Sequence, residues 1–130
     1  MMFGVVNSDC EAIIKVAVGH IGSSKITVDA VIDTGFTSFL SLPLSIITNL
    51  GLLWHYRDID TLGDGSEVVF EIYKASVIWD GIEQIVDVAA SDADPLVGMG
   101  LLYGFKIQIE AVEGGRVTLK KLLSPDHKTL

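Results

Sequence analysis

The stretch Val31 to Gly35 reads Val-Ile-Asp-Thr-Gly and places an aspartate where an apolar strand gives way to a glycine turn. The preceding segment, Lys25 to Ile32, alternates and then becomes wholly apolar, which predicts a strand that enters a core. An ionised carboxylate in such a place is unfavourable unless it is paired, hydrogen-bonded or used in chemistry. Asp33 is therefore either a turn cap that accepts backbone N–H groups or a chemically active group.

Length and composition limit the possible classes of protein. The chain has 130 residues, which predicts a single domain over residues 1–130, long enough to bury roughly two-thirds of its unfolded surface. Hydrophobic residues make up 49% of it, and this excess predicts a surface for self-association. The net charge of −8 and the absence of any Lys/Arg cluster argue against nucleic-acid and anionic-membrane partners.

Cysteine content and the N-terminus indicate a cytoplasmic location. Cys10 is the single cysteine, so no internal disulfide can form and a reducing compartment fits. The first residues carry neither a basic region nor a long apolar run, so no signal peptide is predicted. The uncharged segment from Thr34 to Trp54 is interrupted by glycine, proline and polar residues, which argues against a membrane span.

The order of apolar runs and turn signals predicts an all-β domain, a small barrel or sandwich with one or two short helices. A short arm (1–11) precedes the first strand, and a polar tail (124–130) follows the last. A helix is predicted over Pro43 to Leu50, ending at Gly51. Predicted strands cover Ala12–Val18, Lys25–Ile32, Phe39–Leu42, His55–Thr61, Ser66–Val77, Ser76–Trp79, Ile82–Ala89, Phe105–Val112 and Arg116–Leu122.

Three features occur in an order that resembles the retropepsin-like aspartic proteases, in particular their small microbial branch. The first is the Asp-Thr-Gly turn at Val31 to Gly35. The second is the glycine-containing hairpin Leu62-Gly-Asp-Gly65, and the third is the apolar segment Leu96-Val-Gly-Met-Gly-Leu-Leu102. The resemblance extends from about Ala12 to Lys121. It implies an acid-protease fold, a closed β-barrel with one or two short helices, that works as a homodimer.

The resemblance also implies an activity and roles for individual residues. It indicates an aspartic endopeptidase in which Asp33 of each subunit contributes one carboxylate to a water-activating pair, because this chain has a single Asp-Thr-Gly. Thr34 is expected to hydrogen-bond across the dimer. Gly35 is expected to let the substrate backbone lie close and to offer its carbonyl. The expected partners are a second copy of the chain and a peptide or protein substrate.

Further residues have supporting roles by the same resemblance. Gly63, Asp64 and Gly65 are expected to form a flap that closes over the substrate. An ordinary hairpin turn explains those three residues equally well. Phe36, which directly follows the Asp-Thr-Gly turn, and Gly98, in the late apolar segment, are expected to support the active-site loop.

The sequence departs from the family pattern beside the Asp-Thr-Gly turn. Phe36 occupies a position where the family usually has Ala, Ser or Thr. Thr37, Ser38 and Met99 stand where the retroviral enzymes have an Asp–Arg network, and Gly100 stands where the family often has Asp or Asn. The alternative function is therefore a catalytically silent dimeric β-barrel module that binds peptides or protein partners.

Other chemical motifs are weak, and neither a metal nor a cofactor is predicted. The segment from Asp58 to Gly63 begins like a calcium loop, but Leu62 and Val69 fall where oxygen ligands are required. The three histidines are scattered rather than at ligand spacing. No Gly-x-Ser-x-Gly elbow is present, and Cys10 has no basic neighbour to activate its thiol.

Overall fold

Ten strands and two short helices make up most of residues 1–123, which are the residues that this computed structural model describes. The prediction of a mostly β domain with one or two short helices is confirmed. The strands are β1 (Met2–Val6), β2 (Ala12–Gly19), β3 (Ile26–Ile32), β4 (Leu40–Pro43), β5 (Leu53–Thr61), β6 (Glu67–Trp79), β7 (Ile82–Ser91), β8 (Leu96–Val97), β9 (Phe105–Ile109) and β10 (Arg116–Lys121), and the helices are α1 (Leu44–Leu50) and α2 (Met99–Leu102).

The strands form one sheet in the order β5-β6-β7-β4-β8-β3-β2-β1-β10-β9. An additional pairing joins β6 to β2, where Ala17 lies opposite Ile78. Six strands, β6, β7, β4, β8, β3 and β2, are thereby linked in a ring of successive pairings. Within this ring β3 pairs with β8 in parallel and β4 pairs with β7 in parallel, so short strands far apart in sequence are brought side by side.

The N-terminal arm contains a strand that the sequence analysis did not predict. Strand β1 lies between β2 and β10, with Met2 opposite Leu119 and Gly4 opposite Ile14. A Cβ on Gly4 would lie 2.0 Å from the carbonyl oxygen of Ile13, so the close approach of these two strands requires glycine. A glycine within a five-residue run weakens the strand pattern, which explains why the prediction missed it. The predicted polar tail (124–130) lies outside the described residues.

The core consists mainly of aliphatic side chains from the strands and from both helices, together with Trp79. Leu40, Val88 and Val97 are fully buried, as is Val16 on β2. Because alternate residues of a strand share a face, β2 contributes every second side chain, Ile14, Val16 and Val18, to this core. Among residues 1–123 the buried apolar residues are Val6, Ile14, Val16, Val18, Val28, Ala30, Leu40, Leu42, Ile47, Leu52, Ile72, Ala75, Val77, Trp79, Val86, Val88, Ala89, Val97, Leu101, Leu102, Val117 and Leu119.

Helix α1 begins one residue later than the predicted Pro43, which is the last residue of β4, and ends where the sequence predicts. Pro43 precedes it, and Gly51 ends it in the left-handed conformation (φ 63°), donating its N–H to the carbonyl of Thr48. Only Ile47 of this helix is buried, so α1 covers one side of the core. Residues 1–123 contain two helices, α1 and α2, and neither is long and apolar enough to cross a membrane.

Candidate functional site

Asp33 follows directly after β3, at the point where β8 separates β3 from β4. Ile32 pairs with Val97 in parallel, while Leu40 pairs with the same Val97 in antiparallel. The Asp33 N–H continues the first pairing, because it donates to the carbonyl of Val97 at 2.9 Å. The Asp33 side chain is half-buried. Its position is therefore fixed by main-chain hydrogen bonds of two non-neighbouring segments of the chain.

The turn that follows holds the Asp33 carboxylate from the other side. The Gly35 N–H donates to Asp33 Oδ1 at 2.9 Å, and the Phe36 N–H donates to the Asp33 carbonyl at 3.2 Å. The carboxylate thus accepts a backbone N–H, as the turn-cap interpretation predicts. No ion pair of residues 1–123 involves Asp33, so no cation neutralises it within the described chain.

The loop from Asp33 to Phe39 rests on the segment between β8 and α2. Met99 donates its N–H to the Phe36 carbonyl at 2.7 Å, and Gly98 donates its N–H to the Phe39 carbonyl at 3.0 Å. A Cβ on Gly98 would lie 2.3 Å from the Ser38 carbonyl oxygen and 2.6 Å from the Phe36 ring. The backbone of Gly98 is extended (φ −103°, ψ −179°), so glycine is needed there for space rather than for conformation.

Gly100 has a similar neighbour, which the sequence analysis did not identify. A Cβ at this position would lie 2.8 Å from Cδ2 of Phe39, and the Gly100 N–H donates to the Ser38 carbonyl at 2.9 Å. The Phe39 ring thus occupies the space beside a glycine that stands where the resembled family often has Asp or Asn. Nothing in the local pattern around Phe39 distinguishes it from an ordinary core residue.

The glycine-rich segment forms the tip of the β5–β6 hairpin. Leu62 donates its N–H to the Ser66 carbonyl at 2.7 Å, and Gly65 lies in the left-handed region (φ 86°). The Asp64 carboxylate accepts the hydroxyl of Ser66 at 2.5 Å and its N–H at 2.9 Å. These two hydrogen bonds lower the pKa of Asp64. The tip is fully exposed, and a Cβ on Gly63 would meet nothing within 4 Å.

A cleft of about 280 Å³ lies between the Asp33 loop and the base of the same hairpin. Strand β5 lines it with Tyr56, Asp58 and Asp60, none of which the sequence analysis placed at the site. The structure therefore brings the loop together with the hairpin strands, whereas the tip residues Gly63 to Gly65 do not line the cleft. The other lining residues are Gly35, Phe36, Thr37, Ser38, Phe70, Ile72 and Ala89.

The register of the hairpin explains how these side chains reach the cleft. Tyr56 lies opposite Ile72, and Asp58 lies opposite Phe70, so all four side chains share one face of the hairpin. A bulge between Trp54 and Tyr56 sets this register. Period-two alternation from Tyr56 to Asp60 could have indicated the shared face, but sequence alone does not show which face meets the loop.

Other sequence predictions concern metal ions and the thiol. Within residues 1–123 no three His, Cys, Asp or Glu side chains are grouped so as to hold a metal ion. Cys10 is exposed and adopts a positive φ of 63° in a turn. The ring of His20 hydrogen-bonds the Ile21 carbonyl at 2.8 Å, and His127 lies outside the described residues.

Comparison with solved structures gives a match over most of the chain. A retropepsin-like aspartic protease from Rickettsia conorii superimposes with a TM-score of 0.56 at 20% sequence identity, covering 89% of this chain and 87% of that one. No protein-family model and no curated protein matches the sequence. At this identity the similarity establishes the fold: the domain is mostly β and its fold is retropepsin-like.

Proposed function

We propose that this protein is an aspartic endopeptidase that hydrolyses peptide bonds through a water held between two Asp33 carboxylates. The observation that carries the proposal is the placement of Asp33. Its N–H is bound to Val97, its carboxylate accepts the Gly35 N–H, and its loop borders a cleft in a domain of retropepsin-like fold. A carboxylate held by the main chain in a loop that lines an open cleft suits a general base, which must be fixed relative to its substrate.

The chemistry requires a second carboxylate, and the proposal takes it from a second copy of the chain. One carboxylate accepts the proton of the water while its protonated partner polarises the peptide carbonyl. Two such groups in close contact share one proton, because both cannot ionise together. A two-fold axis beside Asp33 would bring identical loops together. The proposed functional unit is therefore a homodimer of closed barrels, and the ring of strand pairings supports the barrel.

The remaining site residues take roles that their surroundings allow. Thr34 is exposed at the turn, so its hydroxyl is accessible to the loop of a partner subunit. The space beside Gly35 holds only Asp33 Oδ1, at 3.2 Å from a built Cβ, which leaves room for an extended substrate backbone. Gly63, Asp64 and Gly65 form an exposed tip that can move over the cleft, while Phe36 and Gly98 support the loop from behind.

A second candidate function is a dimeric module that binds peptides or protein partners in the same cleft without cleaving them. Phe36 favours this candidate. The resembled family usually has a small residue at this position, whereas here the large Phe36 ring packs against Gly98. Within residues 1–123 no ion pair ties the loop from Asp33 to Phe39 to the segment around Met99. Such a loop could bind a partner while holding the carboxylates at a distance unsuited to hydrolysis.

Peptide cleavage by the wild type and Asp33→Asn separates the two functions. Asn is nearly isosteric but cannot accept the proton of the water, so we expect activity to fall at least about a thousandfold with unchanged circular dichroism. The assay uses a quenched apolar peptide between about pH 4 and 7, the range expected for a shared-proton pair. Asp92→Asn, in an exposed loop, is the matched control and should cleave normally.

The oligomeric state is measured on the same samples. Sedimentation equilibrium should show a species of twice the 14.0 kDa chain mass for the wild type and for Asp33→Asn. A monomer at concentrations well above micromolar would refute the shared dyad. A dimer that cleaves no peptide in this pH range would favour the silent module instead.

A further inference from the structure

The cleft has one wall that carries negative charge and a floor that is apolar. Asp58 and Asp60 lie two residues apart on β5, so their side chains share the face that meets the loop after Asp33. On the neighbouring strand Phe70 and Ile72 belong to the same face, and Phe36 comes from the loop. A ligand in this cleft therefore contacts carboxylates on one side and aromatic or aliphatic groups beneath.

The two carboxylates of the wall have no cation of their own. Within residues 1–123 neither Asp58 nor Asp60 forms an ion pair, and Asp58 Oδ1 accepts only the neighbouring Ile59 N–H at 3.0 Å. Both cations of strands β5 and β6 are already paired. Lys74 contacts Asp87 at 2.6 Å, and Arg57 contacts Glu71 at 2.6 Å on the opposite face of the hairpin.

A further carboxylate, Asp87, lies beside Tyr56, where it also pairs with Lys74. The hydroxyl of Tyr56 donates to Asp87 Oδ2 at 3.2 Å, and Tyr56 itself lines the cleft. Desolvation, then the charge and hydrogen bond of Asp87, and then the charge of Asp58 raise the pKa of Tyr56. None of the residues that line the cleft is a lysine, an arginine or a histidine. A basic side chain of a bound peptide would therefore meet carboxylates in this cleft and no competing cation among its lining residues.

A lysine or arginine side chain matches both surfaces of the cleft. Its alkyl stem can lie on Phe36 and Phe70, while its charged head reaches the carboxylates, as long basic side chains commonly do at partly apolar surfaces. Hydrogen bonds between such a head and a carboxylate are about twice as strong as neutral ones. An acidic side chain in the same place would meet like charge, and an apolar one would leave the carboxylates uncompensated.

We propose that the cleft selects extended peptides that carry a lysine or arginine side chain, and that Asp58 and Asp60 are its specificity-determining residues. This inference rests on the proposed peptide site beside Asp33 and names the class of substrate that the site takes. Asp58 and Asp60 bind the side chain of the peptide and take no part in proton transfer, so they affect selection rather than the chemical step.

The test measures peptide binding separately from cleavage. Fluorescence anisotropy is recorded with Asp33→Asn protein and two labelled peptides that differ at one central residue, lysine or the isosteric norleucine. At low salt we expect the lysine peptide to bind on the order of tenfold more tightly. The preference should shrink as salt rises, because both Asp58 and Asp60 are exposed and screened by ions.

The variant Asp58→Asn/Asp60→Asn, made in the same background, should bind the two peptides with affinities within about twofold of each other. Asp92→Asn/Asp94→Asn removes the same charge from an exposed loop and should keep the tenfold preference, which controls for net charge. An unchanged preference in the Asp58 and Asp60 variant, equal affinity of the parent for both peptides, or no binding of either peptide would overturn the inference.

Failure of the proposed hydrolysis can be distinguished from failure of the proposed lysine selection. A wild type that cleaves neither peptide but keeps the lysine preference in the anisotropy assay refutes the peptidase proposal and supports selection by the cleft. A wild type that cleaves the norleucine and lysine peptides with equal kcat/KM refutes selection and leaves the peptidase proposal in place.

Discussion

Gly98 packs against the loop that follows Asp33, Gly63 lies at the tip of the β5–β6 hairpin, and their surroundings differ completely. A Cβ on Gly98 would lie 2.3 Å from the Ser38 carbonyl oxygen, whereas a Cβ on Gly63 would meet nothing within 4 Å. Gly98 belongs to a platform, defined here as the loop 33–39 with strand β8 and helix α2. Gly63 belongs to the tip of the β5–β6 hairpin. The strand that leads to this tip, β5, is exposed at every residue.

The difference is one of packing, because the platform is held by close contacts and the hairpin tip is not. The platform holds Asp33 through hydrogen bonds to Val97 and Gly35 and is backed by the buried side chains of Leu101 and Leu102. A group that does chemistry must be fixed within a fraction of an ångström, and buried contacts provide this. The hairpin tip is exposed, so few buried contacts hold it in place, as the proposed flap requires.

The largest effect in this comparison is expected from alanine at Gly98. The added methyl group would collide with the Ser38 carbonyl and the Phe36 ring, so the loop must shift or the protein must unfold. We expect Gly98→Ala to lower the free energy of unfolding by about 1–3 kcal/mol, the usual range for overpacking, and to abolish peptide cleavage. Urea unfolding and the quenched-peptide assay measure the two effects.

Gly63→Ala is the matched control for that substitution. Open space surrounds Gly63 and its φ is not positive, so the free energy of unfolding should change by less than about 0.5 kcal/mol. Equal destabilisation by the two alanines would contradict the distinction between platform and tip.

A smaller effect is expected at the hairpin tip when a ligand binds in the cleft. Amide hydrogens from Leu62 to Ser66 should exchange fastest among the internal segments of residues 1–123, because the tip is exposed and makes few contacts. A statine-type inhibitor should slow their exchange at least about threefold while leaving the amides of Asp33 and Gly98 unchanged. Hydrogen exchange with mass spectrometry measures both. Equal exchange with and without the inhibitor would contradict a role as a flap.

The smallest effect concerns the outer face of the hairpin. Glu71 accepts hydrogen bonds from the Trp54 indole at 2.7 Å and from Arg57 at 2.6 Å, and these bonds lower its pKa. A depressed pKa in the folded state means that the stabilisation is present at neutral pH and is lost as pH falls through that pKa. Glu71→Gln should therefore speed hairpin exchange slightly at pH 7 and have a smaller effect at acidic pH, as the Glu71 carboxylate becomes protonated.

Glu67→Gln provides the comparison for Glu71. Glu67 is exposed on the same strand, and within residues 1–123 it forms no ion pair, so its substitution should not alter hairpin exchange at either pH. The same acceleration at pH 7 in both variants would show that the Trp54–Glu71–Arg57 contacts do not hold the hairpin.

The sequence predicted well those elements that depend on neighbouring residues. Helix α1 ends at Gly51, where glycine readily adopts the left-handed conformation, and the β5–β6 hairpin turns at Gly65, which also has a positive φ. The Asp33 turn was also recognisable, because an aspartate after an apolar strand is rare enough to require an explanation. The predicted strand Phe105–Val112 was too long, since β9 ends at Ile109 where the chain bends toward Gly115.

Tertiary structure decided which distant segments meet. Strand β1 exists because Gly4 lets it approach Ile13, and Gly98 matters because Phe36 and Ser38 pack against it from sixty residues away. Asp58 lines the cleft only through the register that sets it opposite Phe70. Local patterns fix turns and strands because the forces involved act between neighbours along the chain. Contacts across the sheet depend on pairing register and the space between side chains, which arise only when the whole chain folds.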